Sequence, residues 1–375
     1  MTSASWSDLP LKKVIKLKRG FDLATNKRAP GIFPVVGAAG ISGWHSEGPI
    51  KGPGVVLGRA GASMGVATYV TQDFWPLNTS LFVEDFLGNN PRFIYSMLRC
   101  IDFSGYNSGA AQPMLNRNYI RSVTVTVPPI SEQDKIASLL GALDDKIAVN
   151  ERIADSSRQL ALSLFEKDTL RSGRTTTVSA ISSLLTRGGT PKYTDDDQQL
   201  TVVNQKCVRG GRVDLSPSRK TLREKVRPER VLQSGDVLVN STGVGTLGRV
   251  SLWTHDVEAT CDTHVTIVRI NEAVIPQIIG ALALLRSQSE IERLGEGSTG
   301  QTELSRAKLG SFSLQVPEEM SWPRLADDIQ ALERSGDHAL RENHTLAALR
   351  DTLLPKLISG ELRIKDAERE GSDAV

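Results

Sequence analysis

The stretch Val123-Thr124-Val125-Thr126-Val127-Pro128-Pro129 closes a short β-like run on proline, and Phe312-Ser313-Leu314-Gln315-Val316-Pro317-Glu318-Glu319 does the same 189 residues later. A long helical pattern follows each proline. Its apolar positions keep the offset: Ile136 answers to Leu325, Leu140 to Ile329, Leu143 to Leu332, Leu160 to Leu349 and Leu164 to Leu353. Upstream, Ser108-Gly109-Ala110-Ala111-Gln112 with Leu115-Asn116 is echoed by Ser298-Thr299-Gly300-Gln301 with Leu304-Ser305. A repeat of this size is too long for a solenoid unit. It predicts two similar domains related by approximate twofold symmetry, which suits a ligand that itself has two halves.

Within the first helical pattern, Ile136, Leu140, Leu143, Ile147, Asn150, Ala154, Ser157, Ala161 and Leu164 alternate spacings of four and three. That is the seam of a coiled coil, with Asn150 as a polar member able to fix register. Ser131 with Asp134 reads as the start and Ser172-Gly173 as the stop, so the helix is expected over about 131–169. At a rise of about 1.5 Å per residue it would be roughly 57 Å long. The second pattern, Leu325 to Leu357, has the same character but holds Gly336, and Pro355 is expected to kink or end it. Each helix exposes an apolar stripe and needs a partner. Because the chain runs domain, helix, domain, helix, antiparallel pairing of the two helices is the economical arrangement, and a homodimeric coiled coil is the alternative. The expected fold class is α+β: mixed, β-rich domains at 1–128 and 173–316, helices within 129–172 and 317–362 forming an antiparallel coiled coil, and a disordered tail at 363–375.

Glycines break the β-rich blocks into many short strands. Gly54-Val55-Val56-Leu57 matches Gly235-Asp236-Val237-Leu238-Val239, and a glycine-laden turn follows each. The second turn, Gly243-Val244-Gly245-Thr246-Leu247-Gly248, is a literal GxGxxG, with Asp262 at a tempting distance downstream. A dinucleotide site needs a helix opening at the third glycine. Here Arg249-Val250-Ser251-Leu252-Trp253 continues as a strand, so the glycines read as a hairpin turn.

Hydrophobic residues at 39% and charged residues at 23% are ordinary globular values, and 375 residues leave room for two or three cores. No run approaches the roughly 20 apolar residues of a membrane span, and the N-terminus lacks a signal pattern. Cys100, Cys207 and Cys261 stand apart, without metal-ligand spacing, and read as reduced cysteines of a cytoplasmic protein. The net charge is only +2, but Lys and Arg exceed Asp and Glu by six over 1–128 and by three over 173–316. They fall short by two over 129–172 and by five over 317–375. Basic globular blocks alternating with acidic helices favour nucleic acid as the partner. No phosphate loop is present, Asn90-Pro91-Arg92-Phe93 reads as a helix start, and the five histidines are scattered. No active site emerges.

At this point the residues resemble a known family. The order strand-rich block, Pro128-Pro129-Ile130-Ser131-Glu132-Gln133 with Leu143-Asp144-Asp145-Lys146-Ile147, second strand-rich block, and Leu353-Leu354-Pro355-Lys356-Leu357-Ile358-Ser359-Gly360-Glu361-Leu362 is similar to the specificity subunit of type I restriction-modification systems. One departure is Pro317-Glu318-Glu319-Met320-Ser321-Trp322, where that family usually repeats a Pro-Pro-x-x-Glu-Gln helix start. The resemblance implies that the β-rich blocks are target recognition domains, each reading half of a split sequence in double-stranded DNA. It implies that the paired helices hold them apart and dock two methyltransferase subunits, and through them restriction subunits that translocate and cut DNA. A 57 Å spacer corresponds to about 17 base pairs at roughly 3.4 Å per step. No cofactor is expected in this chain; the partners would use S-adenosylmethionine, ATP and Mg.

Basic and amide side chains in the two blocks are then the candidate readers of phosphates and base edges. In the first block these are Lys18, Arg19, Lys27, Arg28 and Arg59, with Asn107 and Asn116. In the second they are Arg187, Lys192, Asn204, Lys206, Arg209, Arg212, Arg219, Lys220, Asn240 and Arg249. The helix seam and docking set is Ile136, Leu140, Leu143, Ile147, Leu164, Leu325, Ile329, Leu332, Leu349 and Leu353. Three other readings fit the same sequence: the specificity module of a different methyltransferase-based defence system, a single-chain restriction–methylation enzyme, and a coiled-coil assembly protein that does not read DNA.

Overall fold

The protein is described by a computed structural model covering residues 6–109, 113–295 and 303–364. The echoed residues 110–112 and 298–301, and the tail from 365 on, lie outside the described residues. The chain gathers into two units, Met1–Val149 with Glu342–Val375, and Asn150–Arg341.

In the first unit the strands are β1 (Ser7–Pro10), β2 (Lys16–Arg19), β3 (Phe33–Gly37), β4 (Gly40–His45), β5 (Gly54–Gly58), β6 (Ala67–Val70), β7 (Trp75–Pro76), β8 (Ser80–Asp85) and β9 (Thr124–Val127). They form a four-stranded sheet β2-β8-β5-β6, a three-stranded sheet β4-β3-β7 and the pair β1-β9. Helices α1 (Pro91–Arg99) and α2 (Arg117–Ile120) follow the sheets. Asn90 caps α1 by accepting from the N–H groups of Arg92 and Phe93, with proline at the first helical position where no N–H is missed.

The second unit repeats this plan with additions. Its strands are β10 (Gly173–Thr177), β11 (Ser182–Arg187), β12 (Tyr193–Thr194), β13 (Leu200–Val203), β14 (Val208–Arg209), β15 (Gly211–Val213), β16 (Arg219–Thr221), β17 (Val237–Asn240), β18 (Val250–Leu252), β19 (Ala259–Cys261), β20 (Val265–Ile270) and β21 (Ser313–Pro317). The order β11-β20-β17-β18 matches β2-β8-β5-β6, and β16-β13-β19 matches β4-β3-β7 down to the single parallel pair in each. Likewise β10-β21 matches β1-β9. Strand β12, which pairs with β16, and the hairpin β14-β15 have no counterpart in the first unit.

Two long helices belong partly to each unit: α3 (Ile130–Ser172), and α7 (Trp322–Ser359), which follows the shorter α4 (Gln277–Arg286), α5 (Gln288–Glu292) and α6 (Arg306–Gly310). Contacts between α3 and α7 are antiparallel in both units. In the first, Asp144 pairs with Arg350 and Lys146 with Glu342, and Asn343 donates to the carbonyl of Ile147. In the second, Arg158 pairs with Glu333, and Gly336 lies against Ala154. Each domain also ties the end of its own helix to a long one: Arg99 of α1 reaches Asp351 at 3.5 Å, and Arg286 of α4 reaches Glu166 at 3.0 Å.

The seam is buried where the spacing placed it at Ile136, Leu140, Asn150, Ala154, Ser157 and Ala161, and at Leu325, Ile329 and Leu353. Leu143, Leu164, Leu332 and Leu349 pack half-buried at its margin, and Ile147 is half-buried. Beyond Ala161 the buried line runs through Phe165 and Thr169 instead of Leu164, the drift expected of an undistorted 3.6-residue turn against a 3.5-residue pattern.

Three local details differ from the sequence reading. Ser131 lies inside the first turn of α3, and Pro129 supplies the opening carbonyl to the N–H groups of Glu132 and Gln133. The helix ends at Ser172, at the stop read from Ser172-Gly173, though three residues beyond the expected span of about 131–169. Pro355 does not end α7, because Leu353, Leu354, Leu357 and Ile358 bury the last turn in the core of the first unit. Gly360, at φ +77°, then makes the left-handed stop that favours glycine, with the Trp6 ring packed over it.

Candidate nucleic-acid interface

The seventeen candidate readers fall into groups according to what each side chain does. All four asparagines serve the local backbone, as short amides readily do. Asn107 accepts from the N–H groups of Gly109 and Met114, and Asn116 caps α2. Asn204 accepts from Lys206 N–H and donates to Pro217. Asn240 is fully buried and donates to the carbonyls of Gln205 and Thr246. That bond fastens the Lys206 turn to the glycine turn Gly243–Gly248.

The glycine turn itself joins β17 to β18 as a loop. Gly243, Gly245 and Gly248 take positive φ, and strand, not helix, follows. It has no dinucleotide geometry.

Three cations are held by carboxylates. Lys18 pairs with Glu84 at 2.7 Å on the surface, and Arg187 pairs with Glu303 while donating to the Leu304 carbonyl. Arg212 is drawn to the helices, its Nε 3.2 Å from Asp337 and its Nη2 3.6 Å from Glu333. Arg158 completes that cluster: buried with Glu333, it also donates to the Gly211 carbonyl of the β14-β15 hairpin at 2.9 Å. Arg212 therefore fastens a hairpin to the helices, and its guanidinium does not face outward.

The remaining cations present charge. Lys27, Lys192, Lys206 and Arg209 are exposed, and among the described residues their side chains make no hydrogen bond or ion pair. Arg28 donates to the Ser42 carbonyl at 2.8 Å, Arg249 to Gly245, and Lys220 to the Thr201 hydroxyl. Arg219 lies 3.6 Å over the Tyr193 ring. Arg19 donates to the Asn78 carbonyl at 3.4 Å, Arg59 lies 3.5 Å from the Met114 sulfur, and neither makes an ion pair among the described residues. Burial, and then the Arg19 charge, pull the Arg59 guanidinium below its ordinary value.

Several features were not singled out in the sequence. An open cleft of about 450 Å³ in the first unit is lined by Lys12, Lys16, Arg117, Arg121 and Glu84. Trp44 and Tyr193 are exposed aromatics on edge strands. Composition counts such residues but does not reveal which strand is an edge, because pairing partners lie far away in sequence.

Comparison with known proteins agrees with this architecture. The family model described as type I restriction modification DNA specificity domain matches residues 4–156. The EcoprrI type I restriction enzyme specificity subunit of Escherichia coli is 27% identical over 139 residues, 36% of this chain and 35% of that protein. The match therefore spans about a third of the curated relative's length. The crystal structure of a type I restriction-modification S subunit from M. genitalium superposes with a TM-score of 0.63 at 17% identity, over 96% of this chain and 97% of that one. That likeness is one of fold.

Proposed function

Because residues 4–156 belong to the type I restriction-modification DNA specificity domain family, we propose that this chain is the non-catalytic subunit that reads a split DNA target for a methyltransferase complex. The observation that carries the reading is the repeat of one topology. The family domain occupies the first unit, and the second rebuilds its two sheets in the same strand order with different surface residues. One chain with two such domains reads two half-sites.

In this reading Lys27, Arg28, Arg19 and Arg59 in the first domain, and Lys192, Lys206, Arg209, Arg219, Lys220 and Arg249 in the second, hold phosphates or base edges. The paired α3 and α7 helices, acidic overall, dock two methyltransferase subunits. Those subunits bring S-adenosylmethionine and flip the adenine to be methylated. Restriction subunits join through them with ATP and Mg, in the cytoplasm. The chain positions and selects, and the partners carry the chemistry.

A methyl-transfer assay tests this division of labour. With labelled S-adenosylmethionine and duplex DNA, the isolated chain should transfer nothing, and addition of methyltransferase subunits should give sequence-selective labelling. Transfer by the chain alone, or labelling with no sequence preference when the subunits are present, would overturn the proposal.

A further inference from the structure

The smaller sheet of each domain ends in an edge that carries an exposed aromatic ring beside an arginine. In the first domain this edge is β4. Its residues Ile41 and Trp44 are 55% and 52% exposed. They pair with Val36 and Pro34, two residues apart on β3, so both project from one face of the sheet. That face is buried at β3 and bare at β4.

An apolar edge ordinarily recruits another strand. Here the ladder slips between Val35 and Val36, and Gly40 and Gly43 take positive φ. The Arg28 guanidinium takes the Ser42 carbonyl and lies so close to Gly43 that a Cβ there would stand 2.7 Å from Nη1. These features guard the edge against strand addition and leave the ring, with Arg28 on the neighbouring backbone, for a partner of another kind.

The second domain reaches the same arrangement by a different route. Strand β16 matches β4 but is covered by the extra strand β12, and the exposed ring is now Tyr193 on β12, at 44% exposure. Arg219 of β16 stacks on it, and Lys192 stands next to it. The two edges share no sequence pattern, yet each carries an exposed aromatic and an arginine held against the strand, Arg28 on the β4 backbone and Arg219 on the Tyr193 ring, with an exposed lysine as the chain neighbour of Arg28 and of Tyr193. A guanidinium over a ring fixes the ring and leaves its other face open, and aromatic faces stack on any base. Apolar side chains of this kind also act as wedges between base steps. The surplus of Lys and Arg in both β-rich blocks selects a polyanion as the occupant.

We propose that these two edges are the DNA-contacting edges of the domains. Trp44 with Ile41, and Tyr193, pack against bases or sugars, while Lys27 and Arg28, and Lys192 and Arg219, hold the flanking phosphates. The proposal rests on the DNA-reading function above and says where on each domain the duplex lies.

The test uses the chain in complex with its methyltransferase subunits and a random-sequence duplex at low salt. Trp44 is the one exposed tryptophan among the described residues, so the part of the emission that Trp44→Phe removes reports this edge. Duplex should protect the wild-type fluorescence from acrylamide and leave Trp44→Phe unprotected. Trp44→Ala and Tyr193→Ala should each weaken binding on the order of tenfold, with unchanged melting temperature. If the complex binds duplex while Trp44 stays fully quenchable and both alanine variants bind as tightly as wild type, the edges are elsewhere and this proposal fails alone. Loss of methyltransferase association in those variants, with DNA affinity intact, would make the edges protein-docking sites and also overturn it. A complex that binds no duplex at all would overturn the DNA-reading function and this placement with it.

Discussion

Gln133 and Trp322, at the 189-residue offset of the repeat, perform the same task with different chemistry. Gln133 donates its side-chain amide to the carbonyl of Pro128, and Trp322 donates its indole N–H to the carbonyl of Pro317, each at 2.9 Å. Both bonds fasten the first turn of a long helix to the strand before it. Gln133 also donates to Asn89 and accepts from the N–H of Asn90, whereas Trp322 packs its ring under the Arg174 guanidinium. A helix start that looks degenerate in sequence is thus intact in structure.

Unequal losses follow from these bonds. Gln133→Ala strands three buried or half-buried polar partners and should cost about 1–3 kcal/mol. Trp322→Phe keeps an aromatic face for Arg174 but gives up one hydrogen bond and part of the indole's packing, costing about 1–2 kcal/mol. Urea denaturation monitored by circular dichroism ranks the two, and a larger loss for Trp322→Phe would contradict the assignment.

The buried cluster of Arg158, Glu333 and Arg212 should behave non-additively. Glu333→Met leaves two arginines without their shared carboxylate and should cost about 3–5 kcal/mol. Replacing Arg158 by Met as well removes one uncompensated charge and should restore part of that loss. A double variant as damaged as the sum of its single variants would show that the charges are not coupled.

At Gly336, helix propensity and packing predict opposite signs. Propensity alone gives Gly336→Ala a gain of about 1 kcal/mol in a helix interior. A Cβ there would stand 3.3 Å from the Ala154 Cα and 2.6 Å from an Arg212 nitrogen, so the added methyl should cancel that gain. Gly336→Val should destabilise by about 1–3 kcal/mol. Thermal melts of both variants check this, and a stabilised Gly336→Val would refute close packing of the helices at this point.

Asp262 supplies a pH signature. Burial raises its carboxyl above the ordinary value, even though the His264 N–H donates to it at 2.9 Å. A carboxyl whose folded value is raised weakens the fold at neutral pH, and the penalty lifts as pH falls through the folded value toward the unfolded value near about 4. Asp262→Asn, which keeps the acceptor oxygen, should therefore be more stable than wild type at pH 7. That advantage should shrink as the pH is lowered. Denaturation midpoints across this range measure it, and an advantage that grows on acidification would contradict the burial argument.

Much of this architecture can be read in the chain before any coordinates. The repeat, the two helices and the glycine decoy are legible because each rests on periodicity or on local turn chemistry. The reading fell short where a particular contact, near or far along the chain, decides the outcome. Ser131 had cap chemistry, but the carbonyl of Pro129, two residues earlier, opens the helix. Pro355 breaks isolated helices, yet buried leucines on either side hold the turn around it. The four asparagines were read as base readers, and the bonds each makes to nearby backbone are a second duty that spacing did not reveal. Arg212, one of nine Lys and Arg residues between positions 206 and 230, is distinguished only by Glu333 and Asp337, more than a hundred positions away. Trp44 gave no signal, because exposure on an edge strand depends on which strand is missing beside it.

The central claim is that each of two like domains reads half of one target. Its most direct measurement is single-molecule sequencing of methylated adenines in DNA modified by the complex. The comparison is between the native chain and one whose residues 173–316 are replaced by the matching block of a type I specificity subunit with a different target. The account predicts a motif of two short blocks separated by a fixed gap, with one block unchanged and the other replaced after the exchange. A continuous motif, or an exchange that alters both blocks or neither, would contradict it.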